Sequence, residues 1–148
     1  MSLEEKIEKD LTQAMKARAA DTVSTLRMLK AACGNAQIQK KKNALEDGEV
    51  IEIIQKQHKQ RQESIESFEK AGRQELADKE KREMAILNAY LPAQLSESEI
   101  RAIVQSVIAK VGAQSKADMG KLMKALMPEV KGKADGQKVN RIVSELLP

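Results

Sequence analysis

Apolar residues recur along the last third of the chain with the spacing of an α-helix. Met119, Leu122, Met123, Leu126 and Met127 fall at i, i+3, i+4, i+7 and i+8, which is one helical face. Val139, Ile142, Val143, Leu146 and Leu147 repeat that spacing downstream, and Ile100, Ile103, Val104, Val107 and Ile108 show it upstream. Three short amphipathic helices follow, none able to bury its stripe alone, so they are predicted to pack as a three-helix unit. Their ends are also written in the chain. Ser96 with Glu99 reads as a capping box, Ser115 with Asp118 opens the second helix, and Asp135 caps the third. Gly112 suits the left-handed residue that closes the first helix, and Pro128 is expected to stop the second. Lys131-Gly132-Lys133 is the turn between the second and third. Gly120 lies at the edge of the middle stripe and reads as a point of close helix packing, so Gly120→Leu is expected to destabilise; a gain in stability would instead mark backbone reserved for a ligand.

The first two thirds read as four longer helices. Ser2 and Glu5 form a capping box ahead of an inward row of Leu3, Ile7, Leu11 and Met15. Asp21 starts a second helix with Val23, Leu26, Leu29, Cys33 and Ala36 inward, and Leu45-Glu46-Asp47-Gly48 is the following turn. A third helix, Glu49 to Lys70, carries a seam of Ile54, His58, Arg61, Ile65 and Phe68, interrupted by two polar residues that either reach solvent or find carboxylates on a neighbour. The fourth, Gln74 to Leu91, places Leu76, Met84, Leu87 and Leu91 inward and ends at Pro92. The predicted fold is all-α, with a four-helix amino-terminal domain over residues 1–93 and a three-helix carboxyl-terminal domain over 94–148.

Composition narrows the chemistry. Phe68 and Tyr90 are the only aromatic residues of 148, so aliphatic side chains and methionine must fill the core. His58 is the single histidine and Cys33 the single cysteine, which excludes a multi-histidine metal site and an internal disulfide. No Gly-rich phosphate loop is present, so neither a cofactor nor a set of catalytic residues is expected. No apolar run is long enough for a membrane span, and MSLEEKIEKD lacks the regions of a secretion signal. A cytoplasmic protein without membrane contact is the expectation.

Charge is what separates the two parts. From Lys110 onward there are eight basic and four acidic residues, which accounts for the whole net charge of +4. Within Ser115 to Arg141, Lys116, Lys121, Lys124, Lys131, Lys133, Lys138 and Arg141 stand against Asp118, Glu129 and Asp135. A surface with that bias attracts polyanions, and these seven are the candidate nucleic-acid-binding residues. The plain alternative is the solvated face of amphipathic helices. Lys40, Lys41 and Lys42 are read differently, as cations that offset the negative end of a helix dipole. Residues 96–148 contain no Phe, Tyr or Trp, so bases cannot be stacked there and recognition must be of backbone and folded shape.

The stretches LRMLKAA, KQRQESIESFEKAGRQELADKE, YLPAQLSESEI and SKADMGKLMKALMPEVKGKADGQKVN resemble the YqeY-like proteins of bacteria over the whole chain. That family resembles the carboxyl-terminal tail of the B subunit of the bacterial aspartyl/glutamyl-tRNA amidotransferase, a helical part that contacts tRNA. The resemblance implies tRNA as a partner, and a carbon–nitrogen ligase activity with glutamine as amido donor only by kinship. The chain has neither an amidase nor a nucleotide-activating module for that reaction. Three functions from different classes stay open: an RNA-binding module, an assembly factor contacting a protein through the amino-terminal helices, and an amidotransferase-related enzyme.

Overall fold

In a computed structural model that describes all residues, Met1–Pro148, the protein is all-helical, with seven α-helices, one 3-10 turn and no strand. The chain forms two compact units, Met1–Leu91 and Pro92–Pro148. The first holds α1 (Leu3–Lys16), α2 (Ala20–Lys40), α3 (Asp47–Lys70) and α4 (Gln74–Asn88). The second holds α5 (Glu97–Val111), a 3-10 turn (Lys116–Asp118), α6 (Met119–Val130) and α7 (Gly136–Leu146).

In the first unit α1 opens on the expected box: Ser2 Oγ accepts the Glu5 amide and Glu5 Oε2 accepts the Ser2 amide, each at 3.2 Å. Its buried row is Ile7, Leu11 and Ala14, so the last inward position is Ala14, while Met15 is half exposed. Leu26, Leu29 and Cys33 of α2 are buried against it. Asp21 makes no cap; its carboxylate takes the Arg82 Nε of α4 at 3.1 Å. The turn expected at Leu45 to Gly48 is shorter than read, because Asp47 and Gly48 are already helical and Leu45 is a core residue. Asp47 Oδ1 also accepts the Leu3 amide at 2.9 Å, tying the starts of α1 and α3 together.

The α3 seam resolves its own interruption. Arg61 is only 6% exposed, and its Nη1 donates to Glu80 at 2.9 Å and to the buried Glu83, both on α4. Nη2 meets the Met28 sulfur at 3.6 Å. The buried residues of α4 are therefore Ala77, Glu83 and Leu87; of the predicted row Leu87 is buried, Leu91 packs partly buried on the core just past the helix, and Leu76 and Met84 are only partly buried. Tyr90 closes this core, with its hydroxyl donating to Asp10 Oδ2 at 2.5 Å and Lys6 standing 5.4 Å from its ring centre. Burial and the Asp10 carboxylate push that phenol upward.

Lys40, Lys42 and Glu49 join α2 to the start of α3. Glu49 accepts from Lys40 at 2.5 Å, from Lys42 at 2.9 Å and from the Glu46 amide at 3.1 Å. These bonds, those of Lys40 and Lys42 first, hold its carboxyl at about 2. A carboxylate whose folded pKa is depressed adds stability that is complete above its ordinary range and disappears as pH falls toward the folded value. Glu49→Gln is thus expected to lower the urea midpoint at about pH 6 and to make no difference near pH 2. A midpoint gap that stays constant across that range would show that the loss is not electrostatic.

The second unit buries Ile100, Val104, Leu122, Leu126, Val130, Val139, Ile142 and Val143 completely or nearly so. Ser96 Oγ accepts the Glu99 amide at 3.2 Å, Gly112 takes φ +71° at the end of α5, and Asp135 Oδ1 accepts the Gln137 amide at 3.1 Å. Between α5 and α6 the chain adds a 3-10 turn that periodicity did not reveal. Ser115 Oγ accepts the Ala117 amide at 3.3 Å and Asp118 Oδ2 the Gln114 amide at 2.9 Å, which fixes this turn directly ahead of α6.

Two expectations for α6 are corrected. Pro128 does not end the helix, which continues to Val130. Its missing N–H would have bonded the Lys124 carbonyl, and both residues lie on the exposed side of α6. The buried stripe accordingly runs Leu122, Leu126, Val130, leaving Met127 38% exposed. Gly120 is not a packing point either. It is exposed, and a Cβ built on it would meet nothing within 4 Å. A glycine inside a helix costs about 1 kcal/mol against alanine, and no neighbour in the fold requires it.

Candidate nucleic-acid interface

All seven cations singled out in the sequence are exposed, but the structure gives them different surroundings. With Leu122, Leu126 and Val130 inward, a helix of 3.6 residues per turn directs Gly120, Lys121, Lys124 and Pro128 outward. That side of α6 carries no carboxylate. Asp118, the nearest acidic residue upstream, already accepts the Gln114 amide. Neither Lys121 nor Lys124 enters an ion pair, and Lys116 in the preceding turn makes none.

Lys131 and Lys133 sit on the connection between α6 and α7, which is fixed by backbone. Gly132 turns the chain at φ +79°, Gln94 Nε2 donates to its carbonyl at 3.0 Å, and the Leu95 amide donates to the Lys133 carbonyl at 2.8 Å. Both lysine side chains project to the surface from a backbone that the segment before α5 holds in place.

The α7 cations stand beside carboxylates. Arg141 Nη2 lies 3.2 Å from Glu97 on α5, and its Nε 4.0 Å from Glu145. Arg101 pairs with the same two residues, with Glu97 at 3.2 Å and with Glu145. The Arg101 hydrogen bond, then the Arg141 charge, hold Glu97 below the usual carboxylate range, and Lys138 contributes in the same direction. Such exposed pairs add little to stability. They do occupy the donors of Arg141 and offset the positive field around Lys138. Glu97 and Glu145 lie outside the Ser115 to Arg141 stretch, which is why a count within it overlooked them. The spacing Glu97 to Arg101 and Arg141 to Glu145, four residues each, was the signal that could have revealed the network.

The rest of the molecule offers little reactive chemistry. Cys33 is buried, and burial, followed by the nearby Glu4, pushes its thiol up to about 11, away from the nucleophilic thiolate. It borders a concavity of about 410 Å³ lined also by Glu4, Glu5, Glu8 and Lys30. No three side chains of His, Cys, Asp or Glu converge as metal ligands.

With this geometry in place, comparison with known proteins places the chain. Residues 4–147 match the family model described as Yqey-like protein. The chain belongs to the YqeY-like family. Among its relatives is a Pyrenophora tritici-repentis protein named altered inheritance of mitochondria protein 41, mitochondrial. The two are 30% identical over 146 residues, covering 96% of this chain and 79% of the relative. A protein of the same name from Eremothecium gossypii is 36% identical over 87 residues, 59% of this chain and 48% of its own length. An uncharacterized Schizosaccharomyces pombe protein is 34% identical over 95 residues, 64% and 76% of the two chains. These names correct one expectation. The three relatives are fungal proteins, and the two that carry a compartment in their name point to the mitochondrion rather than the expected cytoplasm. Lack of an apolar span and of a secretion signal does not distinguish a cytoplasmic protein from one of an organelle interior. No helix of the chain is long and apolar enough to cross a membrane.

Proposed function

We propose that this YqeY-like protein is a non-catalytic RNA-binding module whose second unit holds folded RNA, tRNA first, against the outer side of α6 and the turn that follows. The observation that carries the reading is the pair Lys121 and Lys124, exposed on a side of α6 without a carboxylate and engaged by no ion pair. Unpaired lysines on a rigid element are placed to neutralise phosphates, and no internal ion pair has to be broken before they do so. Lys116, Lys131 and Lys133 extend the basic surface; Lys138 and Arg141, next to Glu97 and Glu145, contribute less to it. The resemblance of SKADMGKLMKALMPEVKGKADGQKVN to the tail of the tRNA amidotransferase B subunit supports tRNA as the class of ligand. Carbon–nitrogen ligase chemistry has no such support, since the thiol is buried with a raised pKa and His58 is the only imidazole.

The test is a gel shift of the full chain with bulk tRNA, from both bacterial and mitochondrial sources, beside a single-stranded oligomer of similar length. Folded tRNA is expected to be retarded at lower protein concentration, because the second unit has no ring on which to stack a splayed base. Tighter binding of the single strand would contradict the mode, and no retardation of any RNA would contradict the function. In the latter case the half-exposed Met15 and Met28 and the exposed Ile38 direct attention to a protein partner of the first unit.

The reading treats the four-helix and three-helix parts as separate domains. A fragment from Gln94 to Pro148 retains the Gln94 and Leu95 bonds to the α6–α7 turn together with all ten residues of the second core cluster. It is expected to give a helical circular dichroism spectrum and a cooperative melt, although a unit of this size is marginal. A spectrum of unfolded chain would mean that the first unit completes its core.

A further inference from the structure

Gly120 occupies a position where the fold gives no reason for glycine. It is the second residue of α6, it has no positive φ, and a Cβ there would meet nothing within 4 Å. Gly112 and Gly132 take φ +71° and +79°, and their glycines follow from the backbone; Gly34, Gly48 and Gly136 share the open space of Gly120, but Lys30, one turn from Gly34, is paired with Glu8, and acidic residues adjoin Gly48 and Gly136. The residues around Gly120 are the unpaired cations. Lys124 follows it by one turn of α6 with Lys121 adjacent, and Lys116 stands in the 3-10 turn that leads into the helix. With nothing within 4 Å of where a Cβ would stand, the helix surface has a notch at Gly120, beside Lys121 and Lys124.

We propose that Gly120 is an RNA-binding determinant: its missing side chain lets a sugar-phosphate backbone seat directly against α6, within reach of Lys116, Lys121 and Lys124. This rests on the RNA reading above and adds to it a contact that depends on shape and not on charge. It also gives the helix-weakening glycine a reason, as a position where stability is given up for close approach.

The experiment compares full-length wild type, Gly120→Ala and Gly120→Gln in tRNA binding at fixed low salt and in thermal melting. Both substitutions are expected to raise the melting temperature, since each replaces glycine with a better helix former in open space. Gly120→Gln, which fills the notch without altering charge, should weaken tRNA binding about tenfold, the worth of one neutral hydrogen-bonding contact, and Gly120→Ala should weaken it less. Wild-type affinity in a Gly120→Gln protein that melts at or above the wild-type temperature would overturn this inference while leaving the RNA reading in place. A wild-type protein that binds no tRNA would overturn both. A lowered melting temperature in Gly120→Ala would also count against it, by showing that the fold does need glycine there.

Discussion

Arg61→Ala is expected to destabilise the first unit by about 3–5 kcal/mol, enough to unfold a small helical domain of ordinary stability at moderate temperature. The cause is not the loss of a surface ion pair, which would cost at most about 1 kcal/mol. Arg61 and Glu83 are 6% and 4% exposed, and Glu80 is a second carboxylate on the same guanidinium. Removing the arginine leaves two like charges near each other, one of them with almost no access to water. Arg61→Lys keeps the charge but loses the planar fork that serves Glu80 and Glu83 together, so it should be intermediate. Replacing both ends of the buried pair, with Arg61→Met and Glu83→Leu, should recover most of the loss, because similar volume is kept and Glu80, at 24% side-chain exposure, can turn to solvent. Urea denaturation of the three variants beside the wild type checks this. A cost below about 1 kcal/mol for Arg61→Ala would place the pair with ordinary surface bridges.

That cluster also shows where the sequence could and could not be read. Helical spacing is enough to find the buried rows of α5 and α7, because their inward positions are all aliphatic, and it finds Leu26, Leu29 and Cys33 of α2 but not the buried Thr25. It failed on α4, where Glu83 holds an inward position that a hydrophobic pattern cannot register; the anomaly was visible only from the other partner, as polar residues in the α3 seam. Asp47 and Gly48 looked like a turn by residue type, yet the Glu46–Glu49 bond and the Leu3 amide on Asp47 make them the start of α3. Pro128 reads as a helix end by residue type, yet α6 continues two residues past it to Val130. Gly120 was assigned to packing because a glycine at a stripe edge commonly serves that end, and only the surrounding space could show otherwise. The candidate cations were legible as exposed positions on amphipathic helices. Which of them face carboxylates was not, since Glu97 precedes Arg141 by more than forty residues and meets it only after α5 and α7 pack.

Lys121→Gln together with Lys124→Gln is expected to lower affinity for tRNA at least about tenfold at low salt, and to do so alike for all tRNA sequences. The fold should be unaffected, since neither side chain reaches the Leu122, Leu126 and Val130 row and neither holds a partner. Lys40, Lys41 and Lys42 changed to Gln form the matched control. Lys40 and Lys42 already spend their charge on Glu49, so binding should change less, although the melting temperature must be followed because Glu49 loses its partners.

The most direct measurement is the dissociation constant of the full chain for folded tRNA across a potassium chloride series, for wild type, the Lys121 and Lys124 variant, and the Lys40 to Lys42 variant. Wild type should show a log-log slope of about −0.7 to −0.9 for each phosphate neutralised, and the α6 variant a slope shallower by up to two such increments. The control should keep the wild-type slope. A wild-type constant that does not respond to salt, or a control that loses the affinity while the α6 variant retains it, would contradict the account and move the search for an RNA surface to the first unit.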